Sequence, residues 1–201
     1  MVFAEYVDEK LNPYTVNLTI CNTTYNLQTF DASNSTPIYV TPTFGAATTG
    51  AVTYGTNYSG TAYHFYSASS PEDGYYYLVN MENATDWFAN TGLNDHTGNF
   101  GFFLLVNASY SADEFYRQRL TNLTIGATYK ITYYAANVNP PPALIYPNIE
   151  AGIQDLSGVV LSSASTGNIA ATTWTQYSLT FTATTATLDL FLTNNNPINC
   201  Y

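Results

Sequence analysis

Positive charge is nearly missing from this chain. Lys and Arg together number 4 against 14 Asp and Glu, the formal net charge is -10, and only 9% of the 201 residues are charged. Nucleic-acid binding rests on neutralising phosphates with cations, so no nucleic-acid partner is expected. The same deficit argues against attachment to an anionic membrane surface. Histidine is as scarce, with only His64 and His96, and neither stands in a Ser-His-Asp or Cys-His order with a local signature such as Gly-X-Ser-X-Gly. No zinc spacing of Cys and His is present. A glycosidase needs two facing carboxylates. Glu72, Asp73, Glu82, Asp86, Asp95, Glu150 and Asp155 are available, but nothing in their spacing selects a pair, and the expectation is a protein that is not an enzyme. No apolar run approaches the ~18 residues of a membrane helix, so no membrane insertion is expected. The opening Met1–Lys10 is acidic and lacks the basic and apolar regions of a signal peptide, so any export signal is expected to be already absent.

There are two cysteines, Cys21 and Cys200, near opposite ends. A disulfide between them would contribute about 4–5 kcal/mol on the loop-entropy model, and two unrelated thiols are the equal alternative. Seven Asn-X-Ser/Thr sequons, at Asn17, Asn22, Asn34, Asn57, Asn83, Asn107 and Asn122, are candidate glycosylation sites in an exported protein. A chain so rich in Asn, Ser and Thr also produces several by chance.

What the chain does hold is aromatic and β-forming: 19 Tyr and 11 Phe with many Thr. These residues suit a pleated, half-buried surface, while Asn, Gly and Pro supply turns, so the fold class expected is all-β. Residues 1–13 read as leader or linker. Tyr14 to Ile20 alternates apolar and polar at period two, and Tyr25 to Phe30 continues it across a short turn. The Ser, Thr, Gly and Pro-rich segment 31–60 separates an N-terminal strand-forming extension, 1–43, from a main domain, 44–201. In that domain the expected strands are Ala62 to Tyr66, Tyr75 to Val79, Phe102 to Val106, Phe115 to Leu120, Thr128 to Ala135, Asn148 to Gln154, Val159 to Ser162, Trp174 to Phe181 and Ala186 to Leu192. Asn139-Pro140-Pro141-Pro142 lacks ladder donors and predicts an exposed loop. Residues 80–100 form a long polar connection containing Trp87. Evenly spaced strands with no helical periodicity predict a sandwich or barrel.

Within this frame Asp95-His96-Thr97 leads into the apolar run from Phe102 to Val106. Asp95 has two readings: a calcium ligand supported by neighbouring carbonyls, or the cap of a turn, with His96 packed beside it. Trp87, Tyr75 and Tyr77 are the candidate contact residues for a sugar ring, Trp87 first because it stands in a polar loop. Alternate members of Tyr75–Tyr77 must point to the core, and Trp174 is expected in the core.

Several segments also occur in a telling order. They are Asp73-Gly74-Tyr75-Tyr76, Asp95-His96-Thr97-Gly98-Asn99, Gly101 to Ala108, Phe115-Tyr116-Arg117-Gln118, Thr128-Tyr129, Ala136-Asn137, Ser165 to Ile169, Trp174-Thr175-Gln176-Tyr177 and Asn194-Asn195-Asn196-Pro197. Together they resemble a galactose-binding-like jelly-roll domain of large secreted surface proteins of Bacteroidetes-type bacteria, a domain related to many carbohydrate-binding modules. The resemblance covers about residues 44–201. It implies a two-sheet antiparallel jelly-roll β-sandwich at the cell surface, an accessory role in adhesion or glycan binding, and no catalysis. Similar modules often hold a structural calcium between an early acidic loop and a terminal strand, which here points to Asp73 and Asp95.

The family continues past Asn-Asn-Asn-Pro into a further strand, whereas this sequence stops at Ile198-Asn199-Cys200-Tyr201. Either the sequence is a fragment, or Tyr14 to Ile20 supplies the strand, within its own chain or to a neighbour. Two functions follow. One is an extracellular module that binds glycan or neighbouring surface-protein subunits. The other is a subunit of an extracellular filament or sheath, a homopolymer built by exchange of the N-terminal strand.

Overall fold

The computed structural model describes residues 63–66, 72–81, 92–96, 101–139 and 146–195, together with the backbone of 2–10, 15–20 and 23–28. The strands are β1 (Val2–Lys10), β2 (Thr15–Ile20), β3 (Thr23–Gln28), β4 (His64–Phe65), β5 (Tyr75–Val79), β6 (Phe103–Asn107), β7 (Glu114–Thr121), β8 (Thr128–Ala136), β9 (Ile149–Gln154), β10 (Val160–Ser165), β11 (Thr175–Thr182) and β12 (Thr187–Asn194). No helix occurs among the described residues, so the fold is all-β. The strands form a six-stranded sheet, β11-β8-β1-β6-β5-β4, a four-stranded sheet, β10-β9-β12-β7, and a two-stranded ribbon, β2-β3. Among the described strands every pairing is antiparallel except β4 with β5, which is parallel. From β7 onward the chain passes between the two larger sheets: β7 lies in the four-stranded sheet, β8 in the six-stranded, β9 and β10 in the four-stranded, β11 in the six-stranded and β12 in the four-stranded.

Period-two patterning explains how these sheets meet. Along β8, Tyr129, Ile131, Tyr133 and Ala135 are buried in the main core, and along β12 Leu188, Leu190 and Leu192 enter the same core from the other sheet. Ile149, Ala151 and Ile153 of β9, with Leu179 and Phe181 of β11, complete the contact. Cross-strand aromatic pairs sit in register: Tyr129 stacks on Phe181 at 5.5 Å and Tyr133 on Tyr177 at 5.8 Å. Such opposed pairs favour one register, because a slip of one residue would turn each ring to solvent.

β5 and β6 depart from simple alternation. Tyr76, Leu78, Leu104 and Val106 face the main core, while Tyr77, Val79, Phe103 and Leu105 form a second apolar cluster with Val138. Both faces of these two strands are therefore covered, as their uninterrupted apolar runs require.

The structure differs from the sequence reading at the N-terminus. Residues 1–13, expected as leader or linker, contain β1, which lies between β6 and β8 in the six-stranded sheet. Within the chain, Tyr14 to Ile20, one of the candidate sources of the further strand, contributes β2, which pairs with β3. The extension was expected to hold one or two strands, and its described residues hold three. A second difference is at Asn139, expected at the head of an exposed loop. It is buried, and its backbone N–H donates to Asn137 Oδ1 at 2.9 Å. Pro140, Pro141 and Pro142 lie outside the described residues.

Candidate functional site

The stretch around Asp95 is tied to three other parts of the chain. Asp95 is buried and its backbone N–H donates to Asn80 O at 3.0 Å, which ties the turn to the end of β5. His96 stacks on Tyr134 at 3.7 Å and meets Trp174 edge-on at 6.1 Å. The Trp174 indole donates to Asn94 O at 2.9 Å and its ring packs edge-on against Phe103 at 5.4 Å. Gln176 donates to the Tyr134 hydroxyl at 2.9 Å. The group clamps residues 92–96 over the second apolar cluster, with Leu93 and Trp174 packed against it. Trp174, expected in the core, is half-buried at its margin.

The proposed calcium pair does not converge. Asp73 stands in the exposed turn that precedes β5, and Asp95 is bonded beyond the other end of that strand. Five extended residues separate those ends by roughly 17 Å, far beyond the ~2.5 Å reach of calcium coordination. Among the described residues no three His, Cys, Asp or Glu come together. The aromatic candidates are also redistributed. Tyr77 is fully buried in the second cluster, a correction to its reading as a contact residue: the strand face opposite the main core is itself covered. Tyr75 is half-buried and packs against His64 and Tyr66 at 5.2 and 6.0 Å. Trp87, Cys21, Cys200, Asn22, Asn34, Asn57 and Asn83 lie outside the described residues, and Asn17 is placed only on the backbone of β2. Asn107 ends β6 half-buried, whereas Asn122 is exposed in the turn after β7 at φ 60°.

A concentration of charge not selected from the sequence lies on the outer face of the four-stranded sheet. Arg117 and Arg119 are two apart on β7, so they share a face. Register sets Asp189 of β12 directly opposite Arg119. Asp189 occupies an outward position between the core residues Leu188 and Leu190, yet its side chain is only 6% exposed. Its oxygens accept from Arg119 Nε at 2.9 Å and Nη2 at 3.2 Å, and from Arg117 Nη1 at 3.4 Å. Arg117 also donates from Nε to Glu114 Oε1 at 2.7 Å and from Nη2 to the other Glu114 oxygen. With its amide oxygen turned inward, Gln154 of β9 accepts from Arg117 Nη2 at 3.2 Å. A shift of register between Leu192 and Thr193 brings Glu114 to this face beside Arg117.

The electrostatics agree with the geometry. The hydrogen bond to Glu114 outweighs the opposing effect of burial and, with the charges of Glu114 and Asp189, raises the Arg117 guanidinium above its ordinary value. The hydrogen bond and charge of Asp189 raise Arg119 likewise. Both guanidiniums remain accessible, at 36% and 61% side-chain exposure. Next to them Phe191 lies over Gly152, its neighbour across the β12–β9 ladder. A Cβ on Gly152 would stand 2.2 Å from Phe191 Cζ, so only glycine admits the ring there.

Comparison with protein-family models, with curated proteins and with solved structures finds no match.

Chemically this face offers planar guanidinium donors beside carboxylate and amide acceptors over an aromatic floor. Two of the chain's 4 cationic residues meet here. The sequence carried a signal for it: the only two arginines fall on one face of one strand, and an isolated Asp interrupts Leu188-Asp189-Leu190.

Proposed function

We propose that the chain is a non-catalytic, extracellular jelly-roll module that binds glycan through the outer face of the four-stranded sheet and so serves adhesion. The observation that carries the reading is the pair Arg117 and Arg119, held by the buried Asp189 and by Glu114 on an accessible sheet face. Hydroxyl pairs of a sugar need donors and acceptors at adjacent points. A guanidinium fixed beside a carboxylate presents both, already ordered, which lowers the entropic cost of binding. The strip pairs two cations with two carboxylates, so it suits a neutral glycan better than an acidic one. The jelly-roll reading is supported by the passage of β7 to β12 between two sheets that share a core, and by the ordered segments between Asp73 and Pro197.

A glycan array followed by calorimetry on the folded chain tests this. A neutral saccharide should bind, and Arg119→Ala should weaken it about tenfold or more, at roughly 1.4 kcal/mol per tenfold. Gln176→Ala, on the other sheet, should leave it unchanged. No saccharide bound at millimolar concentration, or binding indifferent to Arg119→Ala, overturns the proposal.

A further inference from the structure

β1 occupies the middle of a sheet although it is far in sequence from both neighbours. It pairs with β8 from Val2↔Ala136 to Lys10↔Tyr129 and with β6 at Val2↔Leu105 and Phe3↔Leu104. β6 and β8 do not pair with each other. Without β1 their facing edges would expose unpaired N–H and C=O groups inside the sheet, so the slot demands a strand. What attaches β1 to this body is, along the chain, a connection of about 50 residues between Lys10 and His64. The strands described within it, β2 and β3, pair only with each other and with no strand of the two larger sheets. The composition of β1 is also unusual for a central strand: Val-Phe-Ala-Glu-Tyr-Val-Asp-Glu-Lys contains four charged residues in a chain that is 9% charged.

From these observations we infer that Val2–Lys10 is an exchangeable strand, and that the slot between β6 and β8 accepts the same segment from a second copy of the chain. An identical segment makes identical pairs, so the slot does not distinguish its own strand from another's. The balance is set by effective concentration, which for a connection of this length is on the order of millimolar or below. Reciprocal exchange between two copies closes a dimer, and exchange that runs head-to-tail builds a linear polymer.

Two measurements test this on the full chain. In the native protein, size-exclusion chromatography over rising concentration should show growing oligomers, and a synthetic Val2–Lys10 peptide in roughly tenfold excess should cut the oligomer fraction by half or more. A chain that stays monomeric throughout, or oligomers indifferent to the peptide, overturns the inference. The second measurement uses chains in which Cys21 and Cys200 are replaced by Ser. One chain carries Val7→Cys and a mass tag, the other Thr132→Cys, two positions directly opposite in the β1–β8 register. Co-refolded and oxidised, they should form a mixed disulfide dimer, because each chain has one thiol and can link only in trans. A Ser157→Cys chain, with its thiol on the exposed β9–β10 hairpin, should link several-fold less. Equal linking to both, or none, overturns the inference.

Discussion

Gly152→Ala isolates the packing of the outer face of the four-stranded sheet. A Cβ at this position would lie 2.2, 2.6 and 2.9 Å from three ring carbons of Phe191, and the contact is with a rigid aromatic ring, not the end of a flexible chain. Phe191 is 8% exposed and faces Arg117 on its other ladder, which limits where it can retreat. Overpacking of this kind costs about 1–3 kcal/mol. Removing the ring should reverse the sign: in a Phe191→Ala background Gly152→Ala no longer clashes, and the reduced freedom of the unfolded chain favours alanine by about 0.5–1 kcal/mol. The cycle therefore predicts a coupling of about 1.5–4 kcal/mol between directly opposed residues. Urea unfolding of the four proteins, with m held common, measures it. A neutral Gly152→Ala, or an equal effect with and without the ring, would refute the placement of Phe191 over Gly152.

Other expectations concern charge and pH. Asp189→Ala removes a buried acceptor shared by both arginines and should cost about 1–3 kcal/mol, whereas Arg119→Ala, at an exposed partner, should cost clearly less; chemical denaturation ranks them. Burial, and then the charge of Tyr177, push the Tyr133 phenol well above its ordinary 10.0. The folded state thus keeps a proton that the unfolded state releases, so its contribution is intact below pH 10.0 and is lost as pH rises beyond it, at up to about 1.4 kcal/mol per pH unit. Tyr133→Phe should flatten that alkaline fall in melting temperature. The hydroxyl of Ser157 and then the backbone N–H of Val159 hold the Asp155 carboxylate below its ordinary 3.8. That turn stabilises the fold above pH 3.8 and weakens as pH drops through the lowered value, so the gap in melting temperature between wild type and Asp155→Ala should close in acid.

The polar strip shows how far sequence reasoning reached into the site. Arg117 and Arg119 are visibly on one face because a strand repeats every two residues. Their partner Asp189 lies some 70 positions away, and only the β7–β12 register joins them. Asp73 and Asp95 were linked through the jelly-roll resemblance, and the extent of β5 between them separates what that resemblance had joined. Tyr77 failed for a different reason. Alternation assigns it to the face opposite Tyr76, but cannot tell whether that face meets solvent or a second cluster.

By itself, the sequence determined the local grammar of this protein. Its β-branched and aromatic content, period-two runs such as Thr128 to Ala135, and turns such as Asp155-Leu156-Ser157-Gly158 specified an all-β chain and most strand positions, because each depends on neighbouring residues alone. Tertiary structure decided the rest. It set β1 between β6 and β8, covered both faces of β5 and β6, and gathered the arginines around one buried carboxylate. Those outcomes depend on which edges pair across long stretches of chain, and backbone hydrogen bonding is nearly the same for every residue that could make it.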